Sequence, residues 1–425
     1  MNLLSRRDFL TSSRAGLPAW VFTPVEGVRW YPRLAFFNQT PDPSGANVLV
    51  CIFLRGGMDG LNVVVPQGDS DYVNLRPSLA IPEMKTGNTQ TAIDLDGFFG
   101  LHPSLAPLMD AWDDKGLAIV HAVGSPDPTH SHFDAMDYME RGTPGEKQVS
   151  TGWLARHLQV TAVQNGSPFR AVGFGGLLQA SLHGPVPAIA LQSIADFHLG
   201  GNKPSAQLDQ FQSNLSGMYS FGSALDSQAA LTLETTDALK KVAASPYQPA
   251  GGTNYPATQF GQALEQVAQL IKSHVGLEIA ALDIGGWDTH VNEGSVVGQM
   301  PKLLDDLGSS LAAFYKDLGD GMKGVTVVTM SEFGRRAKEN GGGGTDHGHG
   351  NVMFVLGKSI NGGKVYGEWP GLAPEKLVAP GDLAVTTDFR SVLAELVQKH
   401  LKDSQIDQVF PDFQGYQPLG LAQEI

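Results

Sequence analysis

The chain has 425 residues, 42% hydrophobic and 17% charged, with 51 glycines and a formal net charge of −14. That composition suits one large, loop-rich α/β domain or two medium ones, and it excludes a coiled coil or a disordered chain. The acidic balance without a basic stripe argues against a nucleic-acid partner, and the lone cysteine, Cys51, rules out an intrachain disulfide.

The first residues contain Ser5-Arg6-Arg7-Asp8-Phe9-Leu10, the Ser-Arg-Arg-x-Phe-Leu pattern of twin-arginine export. The alternative is a chance arginine pair. The apolar segment Ala15 to Phe22 is interrupted by Pro18 and is shorter than the roughly 20 apolar residues that a membrane span needs. The expectation is a leader over residues 1–30 that engages the twin-arginine machinery. The mature protein would then be periplasmic or extracellular, with no transmembrane span.

Beyond the leader, short β-branched runs predict buried strands at Val48–Leu54, Leu117–Val123, Ala188–Leu191, Ile279–Ile284, Val325–Met330 and Val352–Leu356. Cys51 reads as a buried strand residue. Apolar residues at helical spacing, Phe260 to Ile271 and Leu303 to Leu318, predict helices between strands. Such alternation implies a largely parallel central sheet with helices on both faces. Residues 193–255, rich in Gln, Ser and Ala, read as a helical insertion.

Polar clusters follow several of these strands, where open α/β sheets collect their functional residues. After the first strand comes Arg55-Gly56-Gly57-Met58-Asp59-Gly60-Leu61-Asn62, in which Asp59 is either a metal ligand or a turn-stabilising carboxylate. The segment Pro128-Thr129-His130-Ser131-His132-Phe133-Asp134 precedes a predicted helix at 133–140. Ser131 there is a nucleophile at a helix N-terminus or a plain N-cap. His130 and His132 are candidate ligands or acid/base groups.

In Gly285-Gly286-Trp287-Asp288-Thr289-His290, Asp288 and His290 are two apart and face one side in extended backbone, a carboxylate–imidazole pair suited to a divalent ion. In Ser331-Glu332-Phe333-Gly334-Arg335-Arg336, Glu332 is a ligand or an orienter of one. Arg335 is a fork for an anionic substrate or part of an ordinary helix start. The densest signal is Gly344-Thr345-Asp346-His347-Gly348-His349-Gly350, with one acid and two imidazoles between glycines. A flexible surface loop is the plain alternative. Together these name Asp59, Asp288, His290, Glu332, Asp346, His347 and His349 as metal candidates, and Ser131, His132 and Arg335 as catalytic ones.

This ordered motif set, with Thr387-Asp388-Phe389-Arg390 near the end, resembles a family of exported bacterial proteins classed as a domain of unknown function within the alkaline-phosphatase-like superfamily. The resemblance runs from about Asn47 onward and implies an alkaline-phosphatase-like domain over residues 47–425. It implies that Asp59 corresponds to an early metal-binding Asp, that Ser131 occupies roughly the nucleophile's place, and that Asp288, His290, Asp346, His347 and His349 correspond to the later ligands. The close Asp-x-His spacing and the nearness of His349 to Asp346-His347 depart from the superfamily pattern. The implied function is metal-dependent hydrolysis of phosphate or sulfate esters, on a small-molecule or glycan substrate, with zinc, manganese, magnesium or calcium. The alternative is a non-catalytic exported envelope or glycan-binding protein that retains the fold.

Overall fold

The structure is a computed structural model describing residues 47–83, 90–161, 167–194, 235–236, 238–244 and 246–423. The twin-arginine segment and most of the 193–255 insertion lie outside these residues; within the latter, residues 238–243 are helical.

In chain order the strands are β1 (Val48–Leu54), β2 (Val64–Pro66), β3 (Ile93–Asp94), β4 (Phe99–Leu101), β5 (Leu117–Gly124), β6 (Ala171–Phe174), β7 (Ile189–Leu191), β8 (Ile279–Ile284), β9 (Val325–Met330), β10 (Arg335–Glu339), β11 (Thr345–His347), β12 (Asn351–Leu356), β13 (Lys364–Tyr366) and β14 (Thr387–Asp388). The main sheet runs β13-β5-β12-β9-β1-β8-β6-β7, with β14 also on β5. All of its pairings are parallel except those of β12, which lies antiparallel between β5 and β9. Each strand expected from the sequence is in this sheet. Strand β6, only four residues long and containing Gly173, was too short to be read as one.

The uninterrupted apolar runs have a simple cause. Side chains alternate across a strand, so a strand buried on both faces must be apolar throughout. In β1, Val48, Val50, Ile52 and Leu54 enter one core, whereas Leu49, Cys51 and Phe53 enter the other. The first core is covered by helices α3 (Gln259–Lys272) and α4 (Gln299–Leu318) through Phe260, Leu264, Leu304, Leu307 and Phe314. The second is covered by α1 (His132–Arg141), α2 (Trp153–Val160) and α5 (Phe389–Glu395) through Met139, Trp153, Leu158, Phe389 and Leu393. Each fully buried leucine contributes roughly 2 kcal/mol by removal from water.

Register decides where the motifs meet. Leu54 of β1 lies beside Ile284 of β8, and Phe53 beside Met330 of β9, so the loops that follow these three strands leave the sheet together. Because β12 runs the other way, its first residue Asn351 pairs with Val123 near the end of β5. The segment before β12 and the segment after β5 therefore emerge at that same edge. No helix among the described residues is long and apolar enough to cross a membrane.

Candidate metal centre

The site rests on glycines where backbones nearly touch. Gly56 has φ +124°, and a Cβ there would sit 2.5 Å from the amide nitrogen of Asp288, so only glycine lets the β1 and β8 loops close on each other. A Cβ on Gly344 would overlap the carbonyl oxygen of Thr289. Arg335 then ties the loops together. Its fully buried guanidinium donates to the carbonyls of Gly56, Gly57, Trp287 and Thr345, and to Asp288 Oδ1 at 2.8 Å. It starts strand β10, not a helix, and with its donors spent it does not serve as the substrate fork expected of it. Arg55, in the loop after β1, is likewise held by Glu140 at 3.0 Å and Asp283 at 2.8 Å.

Around Asp288 stand three imidazoles, each with its Nδ1 directed at an acceptor. His132, the first residue of α1, has Nδ1 2.7 Å from Glu332 Oε1. His347 has Nδ1 2.9 Å from the carbonyl oxygen of His130. The Nδ1 of His290 faces Asp346 Oδ1 at 3.4 Å. In that tautomer the Nε2 atoms carry the lone pairs, and they turn inward, lying 3.5 Å (His132), 3.3 Å (His347) and 3.1 Å (His290) from Asp288 Oδ1.

The donor atoms of His132, Asp288 and His347 all lie within 4.8 Å of one another. His290 borders this triangle without belonging to it; its Nε2 is 2.9 Å from that of His347. Donors bound tetrahedrally to zinc at about 2.0 Å are separated by roughly 3.3 Å, so the spacings around Asp288 suit such an ion. Two further observations fit a cation. The Nε2 of His132 is buried without a hydrogen-bond partner. The facing Nε2 atoms of His290 and His347 also repel unless a proton or a metal ion lies by them.

The electrostatics follow from these contacts. Burial opposes the charge of Asp288, yet its hydrogen bond with Arg335 and that residue's charge hold its carboxyl down at about 2. The hydrogen bond to Glu332 raises the value of His132, while burial, then the charges of His132 and Arg335, lower that of His347. Asp288 is therefore ionised and His347 neutral near pH 7, the states in which each binds a metal ion.

The remaining expected residues are placed otherwise. Glu332, fully buried, accepts from His132 and from the Gly56 amide at 2.8 Å, so it orients a ligand and is not one itself. Asp346 plays the same part for His290 while accepting from Asn340 at 3.1 Å. His349 is spent on the carbonyl of Ser125 at 2.7 Å. Ser131 is the N-cap of α1, its Oγ accepting from the Asp134 amide at 3.5 Å. Asp59 is not the metal ligand its motif suggested. It is fully buried and receives both terminal nitrogens of Arg76, one at 2.8 Å, so its charge is already matched.

Three residues of this edge escaped the reading of the sequence. Arg76 is a lone arginine between Leu75 and Pro77 and looks like a surface residue. Glu293 sits in an Asn-Glu-Gly turn, and Asp382, whose Oδ2 is 2.7 Å from His130 Nε2, lies in a Pro-Gly-Asp turn. None has a spacing that signals chemistry.

Fold and site define an α/β protein with an Asp/His cluster suited to a cation at the edge of a mostly parallel sheet. The chain belongs to the family described as protein of unknown function (DUF1501), whose model matches residues 46–410. No curated protein matches the sequence. Among solved structures, the chain is similar to the C-terminal periplasmic domain of EcEptC from Escherichia coli, in complex with Zn, at 9% identity and TM-score 0.35, covering 91% of this chain and 94% of that one. It is also similar to the PsFucS1 sulfatase from Pseudoalteromonas sp., at 10% identity and TM-score 0.35, covering 89% and 73%.

Proposed function

We propose that this protein is an exported, metal-dependent hydrolase of phosphate or sulfate esters. The observation that carries the reading is the convergence of imidazole Nε2 atoms on Asp288, each with its Nδ1 directed at an acceptor. His132, Asp288 and His347 would hold a divalent ion, with His290 beside them. Such an ion supplies positive charge that acidifies a water and neutralises ester oxygens.

The chain's own residues do the rest. Glu332 and Asp346 keep two rings in the ligating tautomer, and Arg335 holds Asp288 ionised. Arg336 replaces Arg335 as the group facing an anionic substrate: it is partly exposed, and its ion pairs with Asp346 and Asp382 are loose, at 3.6 and 3.9 Å. Export by the twin-arginine route rests on the Ser5-Arg6-Arg7 motif, and the substrate is a small molecule or glycan ester.

A second reading, a non-catalytic envelope or glycan-binding protein that keeps one ion, is favoured by one observation: Ser131, the expected nucleophile, is engaged as a helix cap. Metal analysis of the purified protein, followed by aryl phosphate and aryl sulfate panels with and without chelator, separates the two. The hydrolase reading expects stoichiometric divalent metal and chelator-sensitive turnover that Asp288→Ala abolishes. Bound metal without turnover supports the second reading. Turnover indifferent to chelator removes the metal mechanism.

A further inference from the structure

Beneath the imidazole cluster lies a second polar group with a different composition. Asp59 and Glu293 are both fully buried, and their carboxyl groups lie against each other. Two buried carboxyl groups in contact share a proton, because two negative charges there would repel and a carboxylate oxygen has no hydrogen of its own to donate. Arg76 settles which acid is charged. It gives both terminal nitrogens to Asp59 and none to Glu293, and it also reaches Asn62 Oδ1 at 2.8 Å and the carbonyl of Ala337 at 2.9 Å. Glu293 Oε1 has no partner among ordinary donors, as expected for an acid that gives its own proton to Asp59.

The other oxygen of Glu293 accepts from Thr345 Oγ1 at 2.7 Å, and its backbone amide donates to the carbonyl of Gly343 at 2.9 Å. One residue thus touches three motif loops: Asp59 after β1, its own loop after β8 that carries Asp288 and His290, and Thr345, two residues before His347. We propose that Glu293 is a positioning residue, whose neutral carboxyl group clasps the Asp288–His290 loop to the Asp346–His347 strand and to Asp59. The charged and titratable groups that face it are Asp59, Arg76 and Tyr72. Burial first, then the negative charge of Asp59, pushes its carboxyl well above the usual range, which agrees with the geometry.

The consequence has a definite sign. An acid raised in the folded state ionises on unfolding, so wild-type stability falls as pH rises above the ordinary glutamate value of about 4.5. The carboxamide introduced by Glu293→Gln would keep both hydrogen bonds and carry no titrating proton. Glu293→Gln should therefore melt at the wild-type temperature near about pH 4, and its midpoint should exceed that of wild type by a growing margin toward about pH 8. Glu293→Leu, which makes neither bond, should speed amide exchange in residues 285–293 and 341–350 at least tenfold, while Glu293→Gln leaves it unchanged.

A melting difference that does not vary with pH, or exchange in Glu293→Leu that matches wild type, would overturn the assignment. Should Glu293→Leu fail to fold, the melting series of Glu293→Gln decides alone. The proposal builds on the candidate metal centre, but neither readout needs metal. Zinc uptake by the wild-type chain tests that reading separately.

Discussion

Two polar groups share one edge of the sheet and differ in what they leave undone. In the lower one, Asp59, Arg76 and Glu293 are fully buried, and each charge has its partner. In the upper one, Asp288 is half-exposed, three imidazoles turn their Nε2 atoms toward it, and His132 Nε2 has no partner at all. A satisfied buried network holds backbone in place. Side chains held in one orientation with donor atoms still unspent are prepared for something that arrives from outside. Each group holds a carboxylate from a Gly-rich loop, Asp59 or Asp288, so that motif alone does not tell scaffold from site.

The contrast can be broken at either end. Arg76→Met leaves Asp59 buried without its cation and should cost about 3–5 kcal/mol in chemical denaturation; a smaller loss would mean that the lower group is not a closed scaffold. Leu307→Ala, in the α4 face that packs on the first core, should cost about 2–5 kcal/mol without changing metal affinity, which separates general stability from the site. Glu332→Gln keeps the shape beside His132 but removes the charge that orients it. Zinc affinity should fall roughly 10–100-fold in competition with a chromophoric chelator, at nearly unchanged stability. The smallest effect belongs to Ser131→Ala. Loss of the α1 cap should cost about 1 kcal/mol and spare turnover; a collapse of turnover instead would restore Ser131 as a nucleophile.

The sheet was legible from the sequence because burial on both faces forces unbroken apolar strands, as in β1 and β9. The loops that carry the candidate site were legible too, since Gly-flanked Asp and His clusters follow those strands. What each polar side chain does was less so. Asp59 and Asp288 both follow a Gly-Gly pair, yet one meets Arg76 from a segment 17 positions on and the other does not. Arg335 and Arg336 are neighbours, and strand alternation sends one into the interior and the other toward solvent. Such distinctions depend on partners distant in the chain. A single residue such as Glu293, with no motif around it, gives no advance sign of them.

The most direct test of the cation site is the metal content of the wild-type protein set beside that of Asp288→Ala and His347→Ala, each shown to be folded by circular dichroism. Stoichiometric divalent metal is expected in wild type, and its loss in both variants. A wild-type protein that takes up no zinc, manganese, magnesium or calcium, or variants that retain the full metal complement, would contradict it.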